Sequence, residues 1–197
     1  MNNTRNVGIF IFNDVEVMDF CGPFEVFSVA NRTNECNPFN VFTVGEDAGP
    51  IYTRNNLSVN PKYTIYDCPK LDILIIPGGQ GTRKEMNNRV VLEWIKLYYP
   101  SLELLLTVCT GALIAARCSL LEDVSATTHH LSLELLKEIS PSTKVISAER
   151  YVDNGKIILS AGISAGIDMS LYVVKKLLGK EAMMKVKDVM EYGTKYM

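Results

Sequence analysis

Cys109 is the residue whose setting most directly suggests chemistry. It follows the apolar segment Leu102-Glu103-Leu104-Leu105-Leu106-Thr107-Val108 and precedes the small-residue run Thr110-Gly111-Ala112-Leu113-Ile114-Ala115-Ala116. A buried strand that passes at once into a helix holds the junction residue on a sharp turn above the sheet. A thiol there feels the positive end of the helix dipole, which favours the nucleophilic thiolate. Free cysteine is also a common small core residue, and the local pattern fits both readings.

Pro77-Gly78-Gly79 ends a second apolar run, Leu71–Ile76. Glycines let backbone N–H groups approach a developing anion, so the N–H groups of Gly79 and Thr110 are expected to form an oxyanion hole beside Cys109. An ordinary strand-ending turn has the same composition. Asp19 lies between Met18 and Phe20, just ahead of Pro23. It is read either as a helix cap or as a general acid/base with a pKa raised by burial. Glu25 is the fallback carboxylate in the same segment. His129, in Thr127-Thr128-His129-His130, is placed at the pocket, with His130 capping or facing solvent. Ser160–Asp168 packs small residues into a strand-to-helix transition, which fits close backbone packing or ligand contact through Ser164 or the backbone N–H groups. Cys21 is placed near the pocket or in the core; Cys36, Cys68 and Cys118 read as structural or incidental.

Composition narrows the classes. Lys and Arg (20) nearly balance Asp and Glu (22) over 197 residues, so no global field draws nucleic acid or an anionic membrane. The polar start Met1–Asn6 lacks the apolar core of a signal peptide, and no apolar run reaches the length of a membrane helix. A cytoplasmic location is expected. Five cysteines without a C-x-x-C pair do not form a disulfide framework, and the adjacent His129 and His130 give no zinc spacing. No metal or other cofactor is expected; the partner is a small-molecule substrate.

These residues need a scaffold, and the pattern supplies one. Strands are predicted at Val7–Phe12, Phe39–Val44, Leu71–Ile76 and Leu102–Val108, with shorter ones at Val124–Thr127, Val145-Ile146, Glu149–Val152 and Lys156–Leu159. A hairpin with its turn at Asn55-Asn56 is expected within Pro50–Asn60, and a second turn at Asn154-Gly155. Helices are predicted from Gly22-Pro23 to Asn31, with Pro23 in the first turn, and over Asn88–Tyr98, Thr110–Ala116, Leu131–Ile139, Ile167–Leu178 and Glu181–Tyr192. Strand–helix alternation implies one α/β domain with a mainly parallel sheet, whose carboxyl-end loops gather the candidate residues. The loops Asn31–Asn37 and Gly81–Arg89 are expected at the pocket entrance.

Taken together, Met18–Pro23, Ile76–Gly79, Val108–Gly111, Ala126–His129 and Ala161–Asp168, with the strand Val7–Phe12, resemble the ThiJ/PfpI superfamily, closest to its isonitrile hydratase branch. The resemblance implies a flavodoxin-like three-layer α/β/α sandwich, a homodimer, and Cys109 as elbow nucleophile. It also implies proton handling by Asp19, assistance from Thr110, and hydration of an isonitrile to an N-substituted formamide through a Cys109 thioimidate. Protease-like members carry a histidine after the cysteine; Thr110 stands there instead. The branch also resembles the sensor half of AraC-type regulators, whose helix-turn-helix domain is not expected in a chain stopping at Met197. A redox sensor with an oxidisable Cys109 and a glyoxalase- or amidase-like activity stay open as alternatives.

Overall fold

Val7 and Ile9 to Ile11 are wholly shielded from solvent, as are Ile73 to Ile76 and Leu105 and Leu106. Strands this apolar on both faces require helices on both sides of the sheet. The computed structural model describes residues 4–34 and 37–193. In chain order the elements are β1 (Arg5–Phe10), α1 (Val17–Thr33), β2 (Phe39–Gly45), β3 (Ile51–Tyr52), β4 (Ser58–Val59), β5 (Tyr63–Thr64) and β6 (Ile73–Ile76). Then follow α2 (Thr82–Glu85), α3 (Arg89–Tyr98), β7 (Leu104–Val108), α4 (Gly111–Arg117), β8 (Ser125–Ala126), α5 (Leu133–Ile139) and β9 (Lys144–Val145). β10 (Tyr151–Asp153), β11 (Ile157–Ser160), α6 (Ala165–Leu178) and α7 (Lys180–Val189) complete the described fold.

The main sheet runs in the order β10-β11-β7-β6-β1-β2-β5. Every neighbouring pair is parallel except β10 with β11. α1, α6 and α7 pack on one another, while α4 contacts α2 and α5. The result is the expected flavodoxin-like α/β sandwich, with a mostly parallel sheet between helices. The register pairs Ile9 with Ile75 and Ile76 with Thr107, so β1, β6 and β7 end side by side. Their outgoing loops carry Asp19, Gly78-Gly79 and Cys109. β3 and β4 form the expected hairpin, with Asn56 at φ 64° in its turn.

One expectation fails locally. Met18–Pro23 is not a loop before a helix: α1 begins at Val17 and contains Pro23 in its interior. The cause lies upstream. Val15 forms a β-bridge with Gly79, and the Glu16 N–H donates to the Gly78 carbonyl at 2.9 Å. This clip ends the loop and launches the helix early. Pro23 then removes the bond its nitrogen would have given the Asp19 carbonyl. Among the described residues no helix is long and apolar enough to cross a membrane.

Candidate functional site around Cys109

Cys109 occupies the left-handed region at φ 55°, which a non-glycine residue enters at a cost of about 1–3 kcal/mol. The surroundings enforce it. Its N–H faces the carbonyls of Ser160 (3.2 Å) and Ala161 (3.1 Å) at the end of β11. Its own carbonyl accepts from Thr128 Oγ1 at 2.7 Å. Two residues on, a Cβ at Gly111 would sit 2.0 Å from the Ile76 carbonyl oxygen, so only glycine lets the turn pack this closely on β6. The side chain is nearly covered, with 6% of the residue exposed.

Asp19 lies in the first turn of α1 and is fully buried. It does not cap the helix, because Glu16 holds that position. Its Oδ2 instead accepts from the Gly78 N–H at 3.0 Å, across the clip between the two loops. Oδ1 is buried and, among the described residues, has no hydrogen-bond partner. Desolvation lifts the Asp19 pKa to about 7 against the opposing pull of the Gly78 N–H and the Cys109 thiol. Desolvation, then the Asp19 charge, push the thiol up to about 12, although the N–H groups of Ile163 and Thr110 pull it down. The expected resting thiolate is therefore corrected. α4 is short, and its dipole is outweighed by burial and a neighbouring carboxylate.

The glycine loop also departs from expectation. The Gly79 N–H is not free for an oxyanion, because it donates to Thr110 Oγ1 at 3.0 Å. The Thr110 and Thr82 hydroxyls both lie within reach of the Gly79 carbonyl, at 3.1 and 2.8 Å. Thr110 thus ties the elbow to the loop after β6. The Gly78 N–H is committed to Asp19. The donors left at the sulfur are the N–H groups of Thr110 and Ile163, and Ile163 is itself strained at φ 42°.

Above Cys109 opens a pocket of about 170 Å³. Gly79, Gln80 and Thr110 form one part of its lining; His129, Leu131, Ser132 and Ile163 another; Glu16, Arg54 and Arg83 supply the charges. His129 Nδ1 accepts from the Leu131 N–H at 3.3 Å, which leaves Nε2 as the protonated nitrogen. Desolvation, then the charges of His130, Arg83 and Arg54, hold its pKa below the usual histidine value. A Cβ at Gly162 would come within 2.4 Å of His129 Cδ2, so the ring packs directly on that glycine.

The structure thus gathers Cys109, Asp19, Thr110, Gly78, Gly79 and His129 at one place. It leaves others out. Glu25 faces solvent and pairs with Arg32 at 3.1 Å. Ser164 accepts from Arg150 beside the Arg150–Asp168 ion pair, away from the pocket. Cys21 is half-buried on α1, Cys68 reaches Tyr98, and Cys118 is buried. Cys36 lies outside the described residues, and Asn31–Asn37 contributes nothing described to the pocket. Arg83, in the other expected entrance segment, does. Of the backbone N–H groups of Ser160–Asp168, that of Ile163 reaches the sulfur; sequence reasoning missed the roles of Glu16, Arg54 and Ser132. Each comes from a segment whose only local signal is a polar or turn-like composition.

A mainly parallel sheet, a strained cysteine between strand and helix, and a buried carboxylate behind the sulfur define an elbow-cysteine α/β protein. The chain belongs to the DJ-1/PfpI family, whose model matches residues 5–176. It is 29% identical to an isonitrile hydratase of Pseudomonas putida, over 95% of this chain and 78% of that protein. It is 26% identical to the HTH-type transcriptional regulator CdhR of Pseudomonas aeruginosa, over 90% of this chain but only 52% of the regulator. A THiJ/PfpI family protein from Pseudomonas syringae superposes with TM-score 0.87 at 23% identity, covering 98% of this chain and 77% of that one. The relatives therefore include both an enzyme and regulators about twice as long.

Proposed function

We propose that the protein is a cysteine-dependent hydratase of small isonitriles, with Cys109 as nucleophile, Asp19 as proton carrier and Thr110 as positioning residue. The observation that carries the proposal is the buried Asp19 carboxylate beside the Cys109 thiol at the floor of a pocket. Likeness to the P. putida isonitrile hydratase supports the choice of substrate.

Covalent chemistry does not need a resting thiolate here. As Sγ attacks the terminal isonitrile carbon, Asp19 takes the thiol proton and passes it to that carbon, giving the thioimidate R–N=CH–S. Water then adds to the same carbon, losing one proton to Asp19, which hands that proton on to the nitrogen. Collapse of R–NH–CH(OH)–S breaks the C–S bond; the hydroxyl proton returns to sulfur, releasing the formamide and the free thiol. The N–H groups of Thr110 and Ile163 face the sulfur and stabilise charge that develops on it. His129 Nε2–H is one donor on the pocket wall. A homodimer in the cytoplasm completes the proposal, with sedimentation equilibrium as the test of its assembly.

The deciding experiment is turnover of alkyl and aryl isonitriles by wild type, Cys109→Ala and Asp19→Ala. Formamide formed by wild type and lost in both variants is expected. A folded wild type that turns nothing over would reject the hydratase and leave a ligand-binding module, as the regulator relatives suggest. A peroxide sensor is the weaker alternative, because oxidation needs thiolate and burial suppresses it.

A further inference from the structure

Arg83 stands on the wall of the Cys109 pocket, half-buried, at the start of the short helix α2. All its hydrogen bonds go to uncharged oxygens. Nη1 donates to Thr82 Oγ1 at 3.1 Å and toward the Gly79 carbonyl at 3.5 Å, and Nη2 donates to Ser132 Oγ at 3.1 Å. Among the described residues no carboxylate lies within ion-pair distance of it. Among the described residues Nε–H and one Nη2–H have no protein acceptor.

The other charges at the pocket are accounted for. Arg54 pairs with Glu16 at 3.5 Å, and His129 is held toward its neutral form. One positive charge is thus left without a counter-charge beside a nucleophile. A half-buried cation without a partner is unfavourable unless something supplies one. A planar guanidinium with free donors matches a carboxylate in shape as well as charge. Its bonds to Gly79 and Ser132 hold it in place before a ligand arrives.

We propose that Arg83 anchors a carboxylate on the substrate, so that Cys109 meets the reactive carbon of a small molecule bearing an anionic group. The proposal rests on Cys109 as the nucleophile of this pocket and narrows its substrate class.

The test compares alkylation of Cys109 by iodoacetate and by iodoacetamide, near-isosteres that differ in charge. Mass spectrometry of the Cys109 peptide keeps the other thiols out of the measurement. In each reaction the S–C bond forms, iodide leaves and the thiol proton is lost. Relative to glutathione, wild type is expected to favour iodoacetate roughly tenfold, the scale of one charge-assisted hydrogen bond. Arg83→Gln should return the iodoacetate-to-iodoacetamide ratio to the glutathione value, and Arg83→Lys should restore part of the preference. A glutathione-like ratio in wild type, or an equal fall for both reagents in Arg83→Gln, would overturn the proposal. Calorimetric titration with butanoate and butanamide repeats the comparison without alkylation. Preference for butanoate lost in Arg83→Gln supports the anchor, and equal or absent binding of both overturns it. No isonitrile is used, so failure of the hydratase reading and failure of the anchor give different results.

Discussion

At Cys109 two influences oppose each other: backbone N–H groups that favour charge on sulfur, and burial beside Asp19 that disfavours it. Burial wins in the resting protein, so activity depends on an acceptor for the thiol proton. In the proposed reaction ionised Asp19 is that acceptor, and burial lifts its pKa to about 7. In the proposed reaction kcat/KM therefore rises with pH through about 7, since the productive form pairs carboxylate with thiol. A pH–rate profile checks this, and a profile flat from pH ~5 to ~9 would remove Asp19 from the proton path. Thr128 acts one bond further out. Thr128→Val deletes the 2.7 Å bond to the Cys109 carbonyl and leaves a buried acceptor unpaired. A loss of about 1–3 kcal/mol in urea unfolding is expected, with a lower kcat from a looser elbow.

Among the elements, the junction of β7 and α4 is the least tolerant of change. Gly111→Ala drives a methyl group into the backbone of β6, which cannot move aside as a side chain does. Destabilisation of at least about 2 kcal/mol is expected from thermal or urea unfolding. Gly162→Ala meets the His129 ring instead, a side chain that can rotate. Its effect should fall on KM more than on stability. The β7–α4 junction was legible in sequence because a buried strand ran into small residues with no turn between them. The entry to α1 was not. Pro23 is a helix-start signal, but the bridge between Val15 and Gly79 set the start, and long-range pairing leaves no local mark. Gly79 was placed correctly in space, yet its N–H was claimed by Thr110, a partner that only the folded sheet brings near.

For the whole molecule, the buried carboxylate is a stability term as well as a chemical one. Asp19 has a folded pKa of about 7, above the roughly 3.9 of an unfolded aspartate. Between those values the folded state binds the extra proton, so the contribution is full below about pH 4 and is lost as pH rises through about 7. Linkage puts the loss on the order of 4 kcal/mol. Asp19→Asn keeps an acceptor for Gly78 and removes the charge. It is expected to unfold at a higher temperature than wild type at pH ~8, with little difference near pH ~4, and to be inactive. Equal pH dependence in the two proteins would contradict the buried charge. The mainly parallel sheet was readable from apolar runs alternating with helical patterns, whereas the strand order and the arginine and backbone donors around the pocket depend on where distant segments arrive.

The three segments that enclose Cys109 also have an order in time. Asp19 and the glycine loop precede it in the chain, but the carbonyls of Ser160 and Ala161 and the N–H of Ile163 follow it. During synthesis the cysteine therefore leaves the ribosome before the part that closes over it. Until β11 adds beside β7, the Ser160 and Ala161 carbonyls and the Ile163 N–H are missing from the surroundings of the thiol. Folding thus shelters a sulfur that synthesis first leaves open. A brief pulse of alkylating agent should mark Cys109 heavily on nascent chains and sparingly on finished ones.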